Sequence, residues 1–233
     1  MTPVSAVVVA GGKGERMQSD IRKQYLMLDG LPILGRTLLA LSEISIIDKI
    51  VLAVPETDFD FCIRQIIPLV QNRLPVELVA GGKNRQQSVF NALSVIPDTE
   101  TIVAIHDGVR PFVPVPQTKT AIRFADQDGA CILGLCAVDT LKSVDRDGYI
   151  TGTLSRTGVW QAQTPQVFRL RIIRQAHEYA RSTGFSGTDD ASLVENAGGR
   201  VRMIPGSSCN IKITQPEDLV IAMGILKHRQ DNR

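Results

Sequence analysis

Apolar residues crowd this chain in short unbroken runs, separated by stretches in which they recur at helical spacing. Val4 to Ala10 carries valine at 4, 7, 8 and 9 and reads as a strand buried on both faces, the kind found inside parallel sheets. Ile33 to Ile44 sets Leu34, Leu38 and Leu41 on one helical stripe, and Lys49 to Pro55 is a second β-rich run ended by a proline. Phe59 to Val70 reads as helical, with Pro68 ending or kinking it. Val76 to Ala80 predicts a third strand. A helix from Arg85 places Val89, Ala92, Leu93 and Ile96 on one face, and Thr101 to Ile105 predicts a fourth strand. Ala130 to Val138 is a long apolar strand. Leu170 to Arg181 and Asp189 to Ala197 read as helices, the second capped by Thr188 or Asp189. Ile211 and Ile213 flank Lys212 on a short strand. Thr214 to Glu217 then reads as a Thr-x-x-Glu capping box with Pro216 in the first turn of a last helix.

One segment breaks this α/β alternation. Asp139 to Val144 and Tyr149 to Leu154 alternate around Asp147-Gly148, the pattern of a β-hairpin with a tight turn. A lone hairpin buries little, so it is expected to pack on something else, and a second subunit is the obvious candidate.

Three of these strand ends carry glycine or charge. The first strand runs into Gly11-Gly12-Lys13-Gly14-Glu15-Arg16-Met17, with Arg22-Lys23-Gln24 close behind. The third opens onto Gly81-Gly82-Lys83, and the fourth onto His106-Asp107-Gly108-Val109-Arg110-Pro111. Right-handed crossovers between parallel strands bring such ends to one edge, which predicts a single cleft. Glycines let backbone N–H groups approach an anion, and Lys13, Arg16, Arg22 and Lys23 supply charge. Two familiar phosphate loops do not fit. Lys13 is followed by Gly14 and Glu15, not the Ser or Thr of a Walker loop, and Met17 stands where a dinucleotide fingerprint needs its third glycine.

Composition narrows the classes further. With 233 residues the chain is long enough for one large α/β domain. Its 26 basic and 24 acidic residues are scattered, with no basic block or aromatic-interleaved stripe to suggest nucleic acid. No apolar run reaches the roughly 18 residues of a membrane span. Cys62, Cys131, Cys136 and Cys209 show neither Cys-x-x-Cys nor Cys/His metal spacing, and the amino terminus shows no secretion signal; the expectation is a reduced, cytoplasmic protein.

The ordered set Ala10 to Met17, Lys23-Gln24-Tyr25-Leu26, His106 to Pro111, Trp160-x-x-Gln163-Thr164-Pro165-Gln166, Thr188-Asp189-Asp190-Ala191-Ser192 and Asn210 to Thr214 resembles the 2-C-methyl-D-erythritol 4-phosphate cytidylyltransferase family over nearly the whole chain. The resemblance implies a Rossmann-like, mostly parallel sheet of the nucleotide-diphospho-sugar transferase type, with one antiparallel strand. It also implies a homodimer joined through a β-arm at 139–156. The reaction implied is cytidylyl transfer from CTP to methylerythritol phosphate with release of diphosphate, in the non-mevalonate route to isoprenoid precursors. An alkyl phosphate is already anionic at neutral pH, so this chemistry requires positioning and charge stabilisation rather than a general base.

Carried over position by position, the resemblance makes Arg16 and Lys23 the catalytic cations and puts Mg2+ on the triphosphate. Ala10, Gly11, Gly12, Gly82, Ser88 and Gly108 fall at nucleotide-binding positions. Asp107, Arg110, Thr188 and Lys212 would meet the acceptor, joined by Thr140 and Arg156 from the partner's arm. No metal ligand is assigned, Asp107 being the one candidate. His106 reads as structural, because the mechanism needs no proton transfer to it. Lys83 departs from the acidic residue, and Gly11 and Gly108 from the alanines, that many members of the family carry. The rival readings are a ribitol 5-phosphate cytidylyltransferase and a non-catalytic nucleotide-binding regulator; the latter is expected to lack Arg16 or Lys23.

Overall fold

The computed structural model describes residues 2–12, 21–97 and 101–231, so Lys13, Gly14 and Arg16 lie outside the described residues. In chain order the elements are β1 (Val4–Val9), the short pair β2 (Met27–Leu28) and β3 (Leu31–Pro32), α1 (Ile33–Ser42), β4 (Lys49–Val54), the single turn α2 (Phe59–Phe61), β5 (Val76–Ala80), α3 (Arg85–Ser94), β6 (Ile102–Asp107) and α4 (Val115–Asp128). They continue with β7 (Ala130–Cys136), β8 (Leu141–Val144), β9 (Ile150–Leu154), β10 (Trp160–Arg169), α5 (Leu170–Thr183), α6 (Asp190–Asn196), β11 (Arg202–Pro205) and α7 (Pro216–Asp231). Seven strands form one sheet in the order β11-β7-β10-β6-β1-β4-β5. All neighbours pair in parallel except β10, which runs against both β6 and β7.

The valine run that opens the chain is explained by the two cores. Val4, Ala6, Val8 and Ala10 pack on one face with Leu34, Leu38 and Leu41 of α1 and Ala121, Ile122 and Ala125 of α4. Val7 points the other way, into Val89, Ala92 and Leu93 of α3 and Ile173 and Ala176 of α5. A strand with helices on both faces has no solvent side, and β1 is accordingly apolar apart from the buried Ser5. A third cluster, Leu28, Ile33, Val109, Phe112, Ile213 and Ala222, seats α7.

Several elements differ from expectation for identifiable reasons. The expected helix from Phe59 to Val70 is broken into α2, a π-helical turn Cys62–Ile66 and a 3-10 turn Ile67–Leu69. Pro68 has no N–H to offer the Arg64 carbonyl and its ring crowds that group, so the preceding turn widens. Ile211 to Ile213 form no strand; Ile213 is held instead by its N–H on the Val109 carbonyl (3.0 Å) and by complete burial. At the start of α7 the carboxylate that answers Thr214 belongs to Asp218 rather than Glu217. Asp218 Oδ2 accepts from the Thr214 N–H (2.7 Å), the Thr214 hydroxyl (2.9 Å) and the Gln215 N–H (3.0 Å). Those donors hold the Asp218 carboxyl below its ordinary value against the opposing effect of burial.

The hairpin is present as β8 and β9, with Gly148 at φ +88° in its turn. It stands apart from the main sheet. Val138 is 77% exposed and Tyr149 74%, and Val144, Ile150 and Leu154 are exposed as well.

Candidate active site

The carboxyl ends of β1, β5 and β6 meet at one edge of the sheet. From β1 the chain winds to β4 and β5 on one side, then returns to β6 on the other, and ligands of open α/β sheets bind at such a reversal. A cleft of about 740 Å³ lies there. Ala10, Gly11, Gly12, Lys23, Gly82, Ser88, Asp107 and Lys212, all expected site residues, line it together.

Lys23 is delivered by the 3-10 turn Lys23–Tyr25. That turn is fastened by contacts of its own neighbours. The buried Gln24 donates from Nε2 to the Ala10 carbonyl (2.7 Å), tying the turn to the end of β1. Tyr25 Oη donates to Asp58 Oδ2 (2.9 Å), and Arg22 Nε meets the same oxygen at 3.2 Å. Arg22 is therefore engaged by Asp58 as well as lining the cleft. Burial raises the Tyr25 phenol well above its ordinary value, with Cys62 and Asp58 adding to the effect, so Tyr25 stays a neutral donor.

Gly82 and Ser88 shape the second wall. The Ser88 hydroxyl accepts from the Gly82 N–H (3.0 Å) and donates to the Asn84 carbonyl (2.8 Å). Asn84 caps α3 through Gln87 N–H (2.8 Å). A Cβ at Gly82 would fall 2.0 Å from Gln87 Cγ, so only glycine lets the loop close over this helix start. Gly108 does not line the cleft. It is buried with its N–H on the Val9 carbonyl (2.9 Å), and an added Cβ would fall 2.8 Å from that of Ala10; the close approach that calls for glycine is within the protein.

Asp107, at the end of β6, is the electrostatic centre. Lys212 Nζ lies 2.8 Å from Oδ2, Arg85 Nε donates to Oδ1 at 3.0 Å, and Arg110 Nε stands 3.8 Å from Oδ2. Burial alone would raise this carboxyl, but Arg85 first, then Lys212 and Arg110, hold it far below its ordinary value. Burial lowers the Arg110 guanidinium from its ordinary value; Asp107 opposes that shift and Arg85 adds to it. Arg110 also donates from Nη1 to the Asn210 carbonyl (2.7 Å), bracing the loop that carries Lys212. Arg85 was not anticipated. Its signal lay in the Gly-Gly loop, which puts the first residue of the capped helix on the same edge.

His106 behaves as a buried strut. The Arg110 carbonyl can only accept, so His106 Nε2 donates to it (3.0 Å), and Nδ1 accepts from the Thr164 hydroxyl (3.0 Å). The hydroxyl in turn accepts the Asp107 N–H (3.1 Å). Burial lowers the imidazole to about 4, and it is neutral at physiological pH.

Asp107 is the one carboxylate lining the cleft among the described residues. With Arg85 and Lys212 on its two oxygens it does not fit a protein-held magnesium, which needs free oxygen ligands in an octahedral set. No group of three or more potential metal ligands occurs among the described residues. Thr188 stands exposed one residue before the α6 cap, which is Asp189. Thr140 and Arg156 do not line this cleft. They sit at the base of the arm, where Arg156 Nη1 donates to the Val138 carbonyl.

A glycine-walled, cation-rich cleft at the winding reversal of an α/β sheet defines a phosphate-handling protein of the nucleotide-binding class. The model of the 2-C-methyl-D-erythritol 4-phosphate cytidylyltransferase family matches residues 4–228, and the chain belongs to that family. It is 46% identical over 227 residues to the protein of that name from Syntrophus aciditrophicus (strain SB), covering 97% of both chains. It is 44% identical over 232 residues to that from Geotalea uraniireducens (strain Rf4), covering 99% of both. Among solved structures it is similar to the 4-diphosphocytidyl-2C-methyl-D-erythritol synthase of Anaerococcus prevotii DSM 20548, with TM-score 0.84, 30% identity and coverage of 97% and 96%. The Thermus thermophilus cytidylyltransferase gives TM-score 0.80 at 29% identity, covering 97% of this chain and 100% of that one. The fold is that of the nucleotide-diphospho-sugar transferases.

Proposed function

We infer that the chain transfers a cytidylyl group from CTP to 2-C-methyl-D-erythritol 4-phosphate, giving CDP-methylerythritol and diphosphate, in isoprenoid precursor biosynthesis. The observation that carries this reading is the Lys212–Asp107–Arg85 cluster lining one cleft together with Lys23. An oxygen of the acceptor phosphate attacks the α-phosphorus of CTP. The new P–O bond forms as the α–β bridging bond breaks, and the bond's electrons leave with diphosphate. The acceptor arrives ionised, so no side chain has to remove a proton. Lys23, with Arg16, neutralises charge that grows on the α-phosphate and the departing diphosphate. Gly11, Gly12 and Gly82 admit the nucleotide. Asp107 and Thr188 take the polyol hydroxyls, and Lys212 and Arg110 the acceptor or its phosphate.

The magnesium expected with CTP is carried on this reading by triphosphate oxygens and water. The exposed apolar residues of the arm and the remoteness of Thr140 and Arg156 from their own cleft favour a homodimer, in which each arm completes the partner's site. We read 1–233 as one catalytic domain with 139–156 as its dimerisation arm, acting in the cytoplasm.

Purified protein, CTP and magnesium with each polyol phosphate, followed by mass for CDP-polyol, test the assignment. CDP-methylerythritol is the expected main product. A higher kcat/KM for ribitol 5-phosphate, UTP replacing CTP without loss, or CTP binding with no diphosphate release would each overturn it.

A further inference from the structure

Behind Asp107 lies a second carboxylate that the reaction does not use. Asp190 occupies the first turn of α6, and its side chain is completely buried. Arg85 Nη2 stands 2.7 Å from Oδ2, and the equally buried His177 ring of α5 brings Nε2 to 3.7 Å from Oδ1. The Asp190 oxygens accept no hydrogen bond from a backbone or hydroxyl donor among the described residues. Removing a carboxylate from water costs several kcal/mol, and an apolar residue at this position would pack more cheaply. Its placement has another purpose: it holds the far end of Arg85, whose near end holds Asp107.

Resting on the functional reading above, we propose that Asp190 and Arg85 are positioning residues for acceptor recognition. Asp190 pins the guanidinium so that its Nε fixes the Asp107 carboxylate toward the acceptor pocket. The geometry is that of a strut with two ends. The planar guanidinium meets the two carboxylates with separate, rigidly spaced nitrogens, Nε and Nη2, where a lysine would have only one nitrogen to offer. Lys212 and Arg110 approach only the Oδ2 side of Asp107, so Arg85 alone among the described residues sets the Oδ1 side. The α6 start is itself fixed, since Gln166 Oε1 accepts from the Asp190 and Ala191 N–H groups (3.0 and 3.1 Å) and its amide donates to Asp189 Oδ2 (2.7 Å). Asp190 is therefore mounted on a rigid frame.

The test is steady-state kinetics of Asp190→Asn and Arg85→Lys, each alone and combined with Asp107→Asn. Each single variant is expected to raise KM for the acceptor by about tenfold while KM for CTP stays within about twofold. In the Asp107→Asn background the same change is expected to have almost no further effect, because its route to the substrate is already cut. A merely structural role would reduce the fraction of active enzyme equally for both substrates and would persist without Asp107. Acceptor KM unchanged, a rise mainly in CTP KM, or full additivity with Asp107→Asn would each overturn the proposal. A crystal structure of Asp190→Asn, or of Arg85→Lys if that variant alone folds, reads the strut without substrate. Loss of the contact to Asp107 Oδ1 is expected, and its retention would refute the idea. Failure of the functional reading is seen separately, as no CDP-polyol from the wild-type protein.

Discussion

The buried His106 gives a stability prediction with a defined pH window. In the folded chain its imidazole titrates at about 4, against 6.5 for the unperturbed group. Between those values the unfolded chain binds a proton that the native chain does not, so stability falls as pH falls. The whole difference is worth about 3.5 kcal/mol at about 1.4 kcal/mol per pH unit, and about 2.5 kcal/mol is lost by pH 4.5. Asp107, Asp190 and Asp218 are held below the ordinary 3.8, so their contributions fade only beneath that value, outside the window. The assay is urea unfolding followed by circular dichroism in steps from about pH 7.5 to 4.5, with His106→Gln as the reference. Gln has no proton to gain, so the wild-type chain is expected to lose about 2.5 kcal/mol more than the variant over this range. Parallel curves would mean that His106 protonates freely in the native state, and the Thr164–His106–Arg110 chain would have to be rewritten. Activity should be far less affected, because no proton moves through this ring.

Three further outcomes follow from the cleft and the arm. Lys23→Ala and Arg16→Ala are expected to lower kcat on the order of 10²-fold or more with little change in CTP binding, measured by steady-state kinetics; a raised KM alone would make them triphosphate holders. Asp58→Ala removes the acceptor of Tyr25 Oη and the partner of Arg22, which should cost about 1–2 kcal/mol in urea unfolding and reduce kcat more than acceptor affinity. Intact kcat in that variant would separate the anchor from Lys23. Co-expressed Arg156→Ala and Lys23→Ala chains should recover roughly a quarter of wild-type activity, since half the dimers are mixed and each mixed dimer has one intact site. No recovery, with mixed dimers confirmed by native mass spectrometry, would leave the arm as a dimer contact only.

Parallel strands and their glycine or acidic ends were legible because burial on both faces leaves an unmistakable apolar run, as in Val4 to Ala10. Where tertiary context supplied the structure, the sequence was mute. The prolines at 114 and 116 disguise the start of α4, although the first turn of a helix tolerates proline, and its buried stripe of Thr118, Ala121, Ile122 and Ala125 is too small to signal periodicity. β10 runs through Gln161, Gln163, Thr164, Pro165 and Gln166, a polar stretch with a proline, and a register shift between Gln163 and Gln166 lets it remain central in the sheet. Asp107 and Lys212 could be named from motifs, but their partner Arg85 could not. An arginine at the first position of a helix looks like any solvated charge until the loop before it is folded. Ser88 was legible as a site residue, whereas its two internal hydrogen bonds were not.

The backward course of β10 also has a bearing on how this protein can change over time. Because β7 runs out to the active edge and β10 starts from it, the arm is an excursion that leaves and returns at adjacent points. Its base is closed by the Ala137 N–H on the Val159 carbonyl (2.9 Å) and by the rung pairing Trp160 with Cys136. Everything beyond that rung can lengthen, shorten or be rewritten without altering the register of a single core strand. On the reading proposed above, acceptor contacts and subunit pairing would be carried by this detachable module, and the sheet edge that lines the cleft would be insulated from changes to it.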